Sequence, residues 1–293
     1  MIKTTIQRLR DPYIVVTDDA YYAYGTDWHC FKNAGDDLAG PWEDLGEVVQ
    51  LRNPADVGVN HWAPEVHLYK GAYYMITTYN SLSRGRRGCT VLKSDSPEGP
   101  FVEISDGPVT PVEWDAIDGT LYVDPDGQPW MVFVHEWVCM PDGIGSFAAA
   151  KLADDLTHFV SEPFEMFKAM DFEWPTRGIT DGCWMHTTKS GKLLMTWSNF
   201  FDEGYAVAVV ESSNGRLDGE WRHVDMLYTR SMTVENRYDG GHAMLFTARN
   251  GQMYMSFHSP NQGSEERWET PVFLAVREEN DRIVWDEPSP AHN

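Results

Sequence analysis

The sequence predicts an all-β protein, and within that class a five-bladed β-propeller in a single domain spanning residues 1–293. One pattern occurs five times: a polar or aromatic start, a short run with alternating apolar positions, a tight turn, and a second run rich in aromatic and β-branched residues. No segment has a sustained helical period, and Gly, Pro, Asn and Asp interrupt the chain throughout. The alternative arrangement is a sandwich in two domains.

Each copy of the pattern predicts a β-hairpin, because its turn places Gly, Asn or Asp where hairpin turns favour a positive φ. The copies are DPYIVVTDDAYYAYGT from Asp11, WAPEVHLYKGAYYMITTYN from Trp62, IDGTLYVDPDGQPWMVFVHE from Ile117, TDGCWMHTTKSGKLLMTWSNF from Thr180, and GHAMLFTARNGQMYMSFHS from Gly241. Their turns are Asp18-Asp19, Lys70-Gly71, Asp126-Gly127, Ser190-Gly191 and Asn250-Gly251.

A weaker second pattern follows the first four hairpins and predicts outer strands. Its copies are DLAGPWEDL from Asp37, SPEGPFVEI from Ser96, DDLTHFVSE from Asp154 and LDGEWRHV from Leu217. After the fifth hairpin, VFLAVREENDRIVW from Val272 is predicted to supply the outer strands. The repeats begin roughly 50 to 60 residues apart, which suits one four-stranded propeller blade each.

The composition restricts the partners. With 23 Lys and Arg against 45 Asp and Glu the net charge is −22, which disfavours nucleic acid and anionic membrane surfaces and favours a neutral ligand. The 12 Trp, 13 Tyr and 13 Phe keep carbohydrate among the candidates, since sugar sites use flat aromatic faces. The start, MIKTTIQRLRDPYIVV, does not resemble a secretory signal, and we expect a cytoplasmic protein. The four scattered cysteines are expected to be free thiols.

Propeller geometry brings the starts of the repeats together, because the innermost strand of every blade begins at the same face. The residues at these starts are Asp11, the stretch from Trp62 to Glu65, Asp118, Asp181 and His242. Clustered carboxylates repel one another, so at least one of them should have a raised pKa. Glycosidic bond cleavage needs such a set, since one group protonates the leaving oxygen while another activates water.

Five motifs in this order resemble glycoside hydrolase family 43: RDPYIV, WAPEV, IDGTLYVDPDG, TDGCWMHTTKSGKLL and GGHAMLF. The resemblance covers nearly the whole chain. It implies a five-bladed propeller and an inverting enzyme that uses water directly and no organic cofactor. Typical substrates of the family are α-L-arabinofuranosides and β-D-xylosides, and some members are arabinanases or galactosidases.

The resemblance also implies catalytic roles. Asp11 resembles the general base, and Asp118 the carboxylate that tunes and orients the acid. The fourth blade usually carries Glu in an EGP-type motif, whereas this chain has Asp181, which is shorter by one methylene, about 1.5 Å of reach. Three interpretations follow: Asp181 is the acid, another carboxylate such as Glu136 in the HEW segment supplies the proton, or the protein has lost hydrolysis.

The resemblance implies further contacts around this centre. Trp62 is expected to form a hydrophobic wall against the sugar, and Glu65 to line the pocket. His61, His67 and Trp184 are expected to hydrogen-bond or stack there, with ordinary packing as the alternative. His242 resembles a family histidine that often helps to hold Ca²⁺ or a water cluster, and water would have to supply the remaining ligands.

These observations predict an exo-acting glycosidase that removes terminal α-L-arabinofuranosyl residues from neutral oligosaccharides. A β-D-xylosidase of the same family is the first alternative. A catalytically silent carbohydrate-binding propeller is the second, because of the Asp in the acid position. A propeller that serves as a protein-interaction scaffold is less favoured, since such a scaffold needs no converging acids.

Overall fold

The computed structural model describes residues 1–233, 237–263 and 267–286. In these ranges the chain forms strands in five sheets and four short 3-10 helices, and it contains no α-helix. The predicted all-β fold with five blades is confirmed. No described helix has the length and apolar character needed to cross a bilayer.

Blades 1 and 2 come first along the chain, after a short strand β1 (Ile2–Lys3). Blade 1 consists of β2 (Tyr13–Val16), β3 (Tyr21–Gly25), β4 (His29–Asn33) and β5 (Glu43–Glu47), paired in that order. Blade 2 consists of β6 (Val49–Gln50), β7 (Trp62–Tyr69), β8 (Ala72–Ser81), β9 (Arg86–Ser94) and β10 (Phe101–Glu103). Its strand order is β6-β10-β9-β8-β7, so that β7 is innermost.

Blades 3 and 4 are four-stranded meanders. Blade 3 consists of β11 (Ala116–Val123), β12 (Pro129–His135), β13 (Ser146–Lys151) and β14 (Phe164–Lys168). Blade 4 consists of β15 (Asp181–Thr187), β16 (Leu193–Phe201), β17 (Gly204–Ser212) and β18 (Trp221–Tyr228). The 3-10 helices are Thr26–Trp28, Pro54–Asp56, Ala169–Asp171 and Arg230–Met232.

Blade 5 joins the two ends of the described chain. It consists of β19 (Gly241–Thr247), β20 (Met253–Ser259), β21 (Thr270–Glu279) and β22 (Arg282–Trp285). Both β22 and the first strand, β1, pair with β21. The pairing of β1 with β21 closes the ring, so that the blade is completed by residues far apart in sequence.

Two sequence expectations need correction. The DDLTHFVSE segment forms no outer strand: it makes only the isolated bridge Leu152↔Phe159, and the outer strand β14 begins later, at Phe164. The turns of blades 2 to 5 contain a glycine at positive φ, as predicted, but the Asp18-Asp19 turn contains no residue at positive φ. Two aspartates in that turn therefore do not imply the left-handed backbone that a Gly in the other turns adopts.

The aromatic side chains lie largely between the blades. Between blades 3 and 4 the rings of Phe147, Phe167 and Trp221 pack around or near Trp197, which is fully buried. Burial of such large apolar surfaces is the main favourable contribution to folding. Most of the aromatic content is thus explained by the core. The cysteines are free thiols, as predicted, and Cys30, Cys89 and Cys183 are buried.

The innermost strands share a backbone irregularity that positions the site. In β7, β11, β15 and β19 the register shifts one or two residues after the strand begins to pair. Each shift contains a residue with left-handed φ, and the corresponding residue of blade 1 just precedes β2. These residues are Asp11 (φ 56°), Ala63 (44°), Asp118 (54°), Gly182 (58°) and His242 (57°). A bulge of this kind re-aims side chains next to functional sites.

This register corrects one sequence-based equivalence. Asp11, Asp118 and His242 occupy the left-handed position of their blades, whereas Asp181 lies one residue before it, because Gly182 takes that position in blade 4. The matching residues of blades 2 and 3 are Trp62 and Ile117, which also come just before the left-handed residue. The three aspartates therefore approach the axis from two different backbone positions.

Candidate active site

A cavity of about 450 Å³ opens at the face where the innermost strands begin. Its lining includes six of the residues that the sequence singles out: Asp11, Trp62, Asp118, Glu136, Asp181 and His242. The predicted convergence of the repeat starts is thus present in the structure. Three carboxylates and an imidazole from four different blades share one cavity with a fourth carboxylate, Glu136.

Asp11 is held by positively charged and hydroxyl groups. It is 6% exposed, and its Oδ2 accepts a hydrogen bond of 2.6 Å from Thr26 Oγ1. Its Oδ1 lies 3.2 Å from His242 Nδ1 and 3.5 Å from Arg10 Nε. Burial opposes ionisation, but the nearby imidazolium and guanidinium outweigh it and hold the pKa of Asp11 well below its ordinary value. Asp11 is therefore a carboxylate at neutral pH, the state a general base requires.

A second histidine, His258, contacts Asp11. The backbone N–H of Asp11 lies 3.3 Å from His258 Nδ1, and Asp11 Oδ1 lies 3.2 Å from the same nitrogen. The other ring nitrogen, Nε2, lies 3.3 Å from Asn261 Oδ1 and donates to it. Burial lowers the pKa of His258. His258 thus contacts both the backbone and the side chain of Asp11.

Asp118 and His242 form the middle of the cluster. Asp118 Oδ2 accepts a hydrogen bond of 3.0 Å from the backbone N–H of Gly182 and lies 3.8 Å from His242 Nδ1. Burial raises the pKa of Asp118, and His242 opposes this rise. Burial also disfavours the charged imidazole, but Asp11 and Asp118 together raise the pKa of His242 to about 10. An imidazolium therefore lies beside both carboxyl groups.

Asp181 has a different environment. Its Oδ2 accepts a hydrogen bond of 2.9 Å from the hydroxyl of Tyr205. Burial and then repulsion from Asp118 raise its pKa well above the ordinary value. A raised pKa favours the protonated carboxyl group, which is the state a general acid requires.

Glu136 is the other candidate acid, and it is bound to an arginine. It is 3% exposed, and Arg87 Nε donates to its Oε2 at 2.5 Å. The Arg87 guanidinium also lies 5.7 Å from the centre of the Trp62 ring. Burial raises the pKa of Glu136 to about 7, although Arg87 favours the carboxylate. Glu136 thus lines the cavity as part of a buried ion pair.

Four residues expected to line the pocket or to contact the substrate do not line the cavity: Glu65, His61, His67 and Trp184. Glu65 is buried further along β7, with its Oε2 at 3.1 Å from His67 Nε2. His61 stacks on Trp28, with 3.9 Å between the ring centres. Trp184 packs between blades near His186. Glu65 and Trp184 each lie two residues beyond the left-handed position of their blade, and two strand residues advance the chain by about 6.6 Å.

The sequence reasoning missed residues that border the cavity from other strands and loops. Arg10 donates to Asn261 twice, at 2.5 Å to the backbone oxygen and at 3.1 Å to Oδ1. Tyr205 comes from the third strand of blade 4 rather than from an innermost strand. Arg10 is part of the RDPYIV motif, which was a usable signal. No repeat marks Tyr205.

The side chains do not form a calcium site by themselves. Within the described ranges, no group of three or more His, Cys, Asp or Glu side chains is arranged to hold a metal ion. His242, protonated beside Asp11, has no free lone pair on Nδ1 for a cation. The expectation of Ca²⁺ near His242 stays a prediction.

Comparisons with known proteins agree with this geometry. The sequence profile of "Glycosyl hydrolases family 43" matches residues 4–277. The crystal structure of an endo-arabinase from Bacteroides thetaiotaomicron superposes with a TM-score of 0.82 at 31% identity, covering 96% of this chain and 98% of that one. A thermostable family-43 glycoside hydrolase superposes with a TM-score of 0.80 at 18% identity, covering 100% and 98%, which shows the shared fold.

Curated relatives match over shorter segments. A probable arabinan endo-1,5-α-L-arabinosidase B of Aspergillus oryzae is 32% identical over 36% of this chain, and the match spans 28% of that relative. An extracellular exo-α-(1→5)-L-arabinofuranosidase of Cellvibrio japonicus is 31% identical over 36% of this chain and 30% of its own length. Because the family profile covers nearly the whole propeller, the chain belongs to glycosyl hydrolase family 43.

Proposed function

We propose that this glycoside hydrolase cleaves α-L-arabinofuranosyl bonds of arabinan-type oligosaccharides with inversion, using Asp11 as general base and Asp181 as general acid. The observation that supports this most strongly is the opposite protonation preference of the two groups within one cavity. Cations surround Asp11 and lower its pKa, whereas burial and Asp118 raise the pKa of Asp181. Such a pair can give and take a proton in the same step.

The proposed reaction uses these residues and one water molecule. A water molecule bound to Asp11 attacks the anomeric carbon and transfers a proton to the carboxylate. The glycosidic carbon–oxygen bond breaks, and its oxygen receives the proton of Asp181. The charge on the sugar ring in the transition state faces the carboxylates of the cavity. Asp118, held by the backbone of Gly182, keeps negative charge close to Asp181 and so favours its protonated form.

The names of the relatives support arabinan as the substrate class. The solved structure is named an endo-arabinase, and the two curated relatives are named an arabinan endo-1,5-α-L-arabinosidase and an exo-α-(1→5)-L-arabinofuranosidase. The exo mode expected from the sequence stays a prediction beside the endo mode that two of those names contain. The cytoplasmic location also stays a prediction, and the Cellvibrio relative is named as extracellular.

The test is hydrolysis by wild-type protein of linear arabino-oligosaccharides labelled at the reducing end, together with aryl α-L-arabinofuranoside and aryl β-D-xyloside. We expect cleavage of the arabinosides and its loss in Asp11→Asn. Monosaccharide as the first product identifies the exo mode, and mixed oligosaccharides identify the endo mode. Preferential cleavage of the xyloside contradicts the proposed substrate. Binding of arabino-oligosaccharide without any turnover supports the silent binding module instead.

A further inference from the structure

Tyr205 lies beside Asp181, the candidate acid, in a space that exists because residue 241 is a glycine. Tyr205 is 1% exposed and is the second residue of the third strand of blade 4, where its backbone N–H donates to Asp239 Oδ2 at 3.0 Å. Its ring lies against Gly241, the first residue of β19. A Cβ on Gly241 would lie 2.4 Å from Cε1 of Tyr205. The ring therefore fits only because position 241 has no side chain.

The ring is held on its other sides as well. Phe200 packs against it with 5.4 Å between ring centres, and His258 stacks at 5.9 Å with an angle of 25° between the planes. Buried aromatic contacts of this kind leave little rotational freedom. The hydroxyl of Tyr205 is thus fixed in space by blade 5 and by the histidine that supports the base.

This fixed hydroxyl donates to Asp181 Oδ2 at 2.9 Å. A phenol hydroxyl has one hydrogen to donate, and Tyr205 donates it to Oδ2 of Asp181. The transferable proton of Asp181 then belongs on the other oxygen, Oδ1. Asp181 is shorter than the usual glutamate by about 1.5 Å. Its carboxyl group therefore has to be held in the orientation that directs Oδ1 towards the leaving oxygen.

We propose that Tyr205 is a positioning residue for proton donation: it holds Oδ2 of Asp181 so that Oδ1 carries the proton to the leaving oxygen. This inference rests on the proposed function and adds to it a residue outside the innermost strands. Tyr205 does not exchange a proton with the substrate in this scheme. It acts through Asp181 alone.

The charged groups around Asp181 predict how the pH dependence of activity should change when the Tyr205 hydroxyl is removed. The charged and titratable groups facing Asp181 are Asp118, His242, Arg10 and Tyr205. Burial and Asp118 favour the neutral carboxyl group, whereas His242, Arg10 and the Tyr205 hydroxyl favour the carboxylate. Removing the hydroxyl should therefore raise the pKa of Asp181. Because activity is lost when the acid deprotonates, the alkaline limb of the pH profile should move to higher pH.

The experiment compares Tyr205→Phe with wild type and with Tyr24→Phe. The control removes another buried hydroxyl, that of Tyr24 in blade 1, which donates to the backbone oxygen of Pro97 in blade 2. For an arabino-oligosaccharide we expect kcat of Tyr205→Phe to fall about 10-fold, with the alkaline limb moved upward. For a dinitrophenyl arabinofuranoside, whose leaving group needs no proton, kcat should change little. Tyr24→Phe should leave both substrates and both limbs unchanged.

A double mutant separates positioning from structural damage. If Tyr205 acts through Asp181, then adding Tyr205→Phe to Asp181→Asn costs little further activity, because the interaction is already lost. Equal losses on both substrates with an unmoved alkaline limb would overturn the proposal, as would fully additive losses in the double mutant. If Tyr205→Phe does not fold, a ring-fluorinated tyrosine at position 205 replaces it. Its stronger donation should move the alkaline limb to lower pH.

The wild-type protein separates this proposal from the proposed function. If wild type hydrolyses arabinosides but Tyr205→Phe does not move the alkaline limb of the pH profile, only the positioning role of Tyr205 is contradicted. Absence of turnover on every arabinoside defeats both.

Discussion

The two ends of the catalytic cavity differ in how they hold a carboxyl group. At one end, Arg10, Thr26 and two histidines surround Asp11, and the group is ionised. At the other end, Asp181 accepts a hydrogen bond from Tyr205, and burial together with Asp118 raises its pKa well above the ordinary value. The same residue type thus favours the ionised form at one position and the protonated form at the other, because each blade supplies different neighbours.

The largest effect is expected at the base. Asp11→Asn removes the group that activates water, so kcat should fall by about 10²- to 10⁴-fold. The loss should be similar for oligosaccharides and for dinitrophenyl arabinofuranoside, since both need attack by water. Steady-state kinetics on the two substrates measures it. Recovery of the variant's activity by a good leaving group would contradict the assignment of Asp11 as base.

The acid end is expected to respond differently to the leaving group. Asp181→Asn should lose about 10²- to 10⁴-fold in kcat on oligosaccharides and much less on dinitrophenyl arabinofuranoside. Glu136→Gln is the matched variant, because Glu136 shares the cavity but is engaged by Arg87. It should show a smaller loss with no dependence on the leaving group. If Glu136→Gln is rescued by the good leaving group and Asp181→Asn is not, Glu136 is the acid.

His242 links the two ends, and its replacement should move both limbs of the pH profile. In His242→Gln the imidazolium that favours both carboxylates is gone, so the pKa of Asp11 and that of Asp181 should rise. Activity needs Asp11 ionised and Asp181 protonated, so both limbs move to higher pH. The acid limb should move more, because His242 contacts Asp11 directly at 3.2 Å. An unmoved acid limb, measured from kcat/KM against pH, would count against this linkage.

The smallest effect is expected for Gly241→Ala, beside the Tyr205 ring, and it concerns the free energy of unfolding. Gly241→Ala places a methyl group 2.4 Å from the Tyr205 ring, and such overpacking costs about 1–3 kcal/mol of unfolding free energy. Chemical denaturation measures the loss. Gly35→Ala is the control, because the nearest atom to its new methyl group, Asn33 Oδ1, is 3.2 Å away. Equal stabilities of the two variants would show that Tyr205 is not tightly held.

The repeats made the fold predictable, and they predicted the backbone position of Asp11 better than that of Asp181. Hairpin turns and alternating apolar positions recur five times, so the blades and the convergence of Asp11, Asp118, Asp181 and His242 follow from local pattern. The bulge was not visible, because residues as different as Ala63 and His242 adopt the same left-handed backbone. That is why Asp181 seemed equivalent to the other two aspartates.

The remaining site residues depend on long-range packing. Tyr205 reaches the cavity because Gly241, 36 positions later in the numbering, leaves room for its ring. Glu65 and Trp184 were expected in the pocket but do not line it, since each lies two residues beyond the left-handed position and two strand residues advance the chain by about 6.6 Å. Neither outcome has a signal within a single repeat.

The most direct test of the account is the configuration of the first-formed sugar. Wild-type protein is mixed with an α-L-arabinofuranoside, and the anomeric protons are followed by NMR before mutarotation. A base that activates water opposite an acid predicts that β-L-arabinofuranose appears first. Initial release of the α-anomer would mean that a carboxylate attacks the sugar directly, and it would contradict the pairing of Asp11 and Asp181 proposed here.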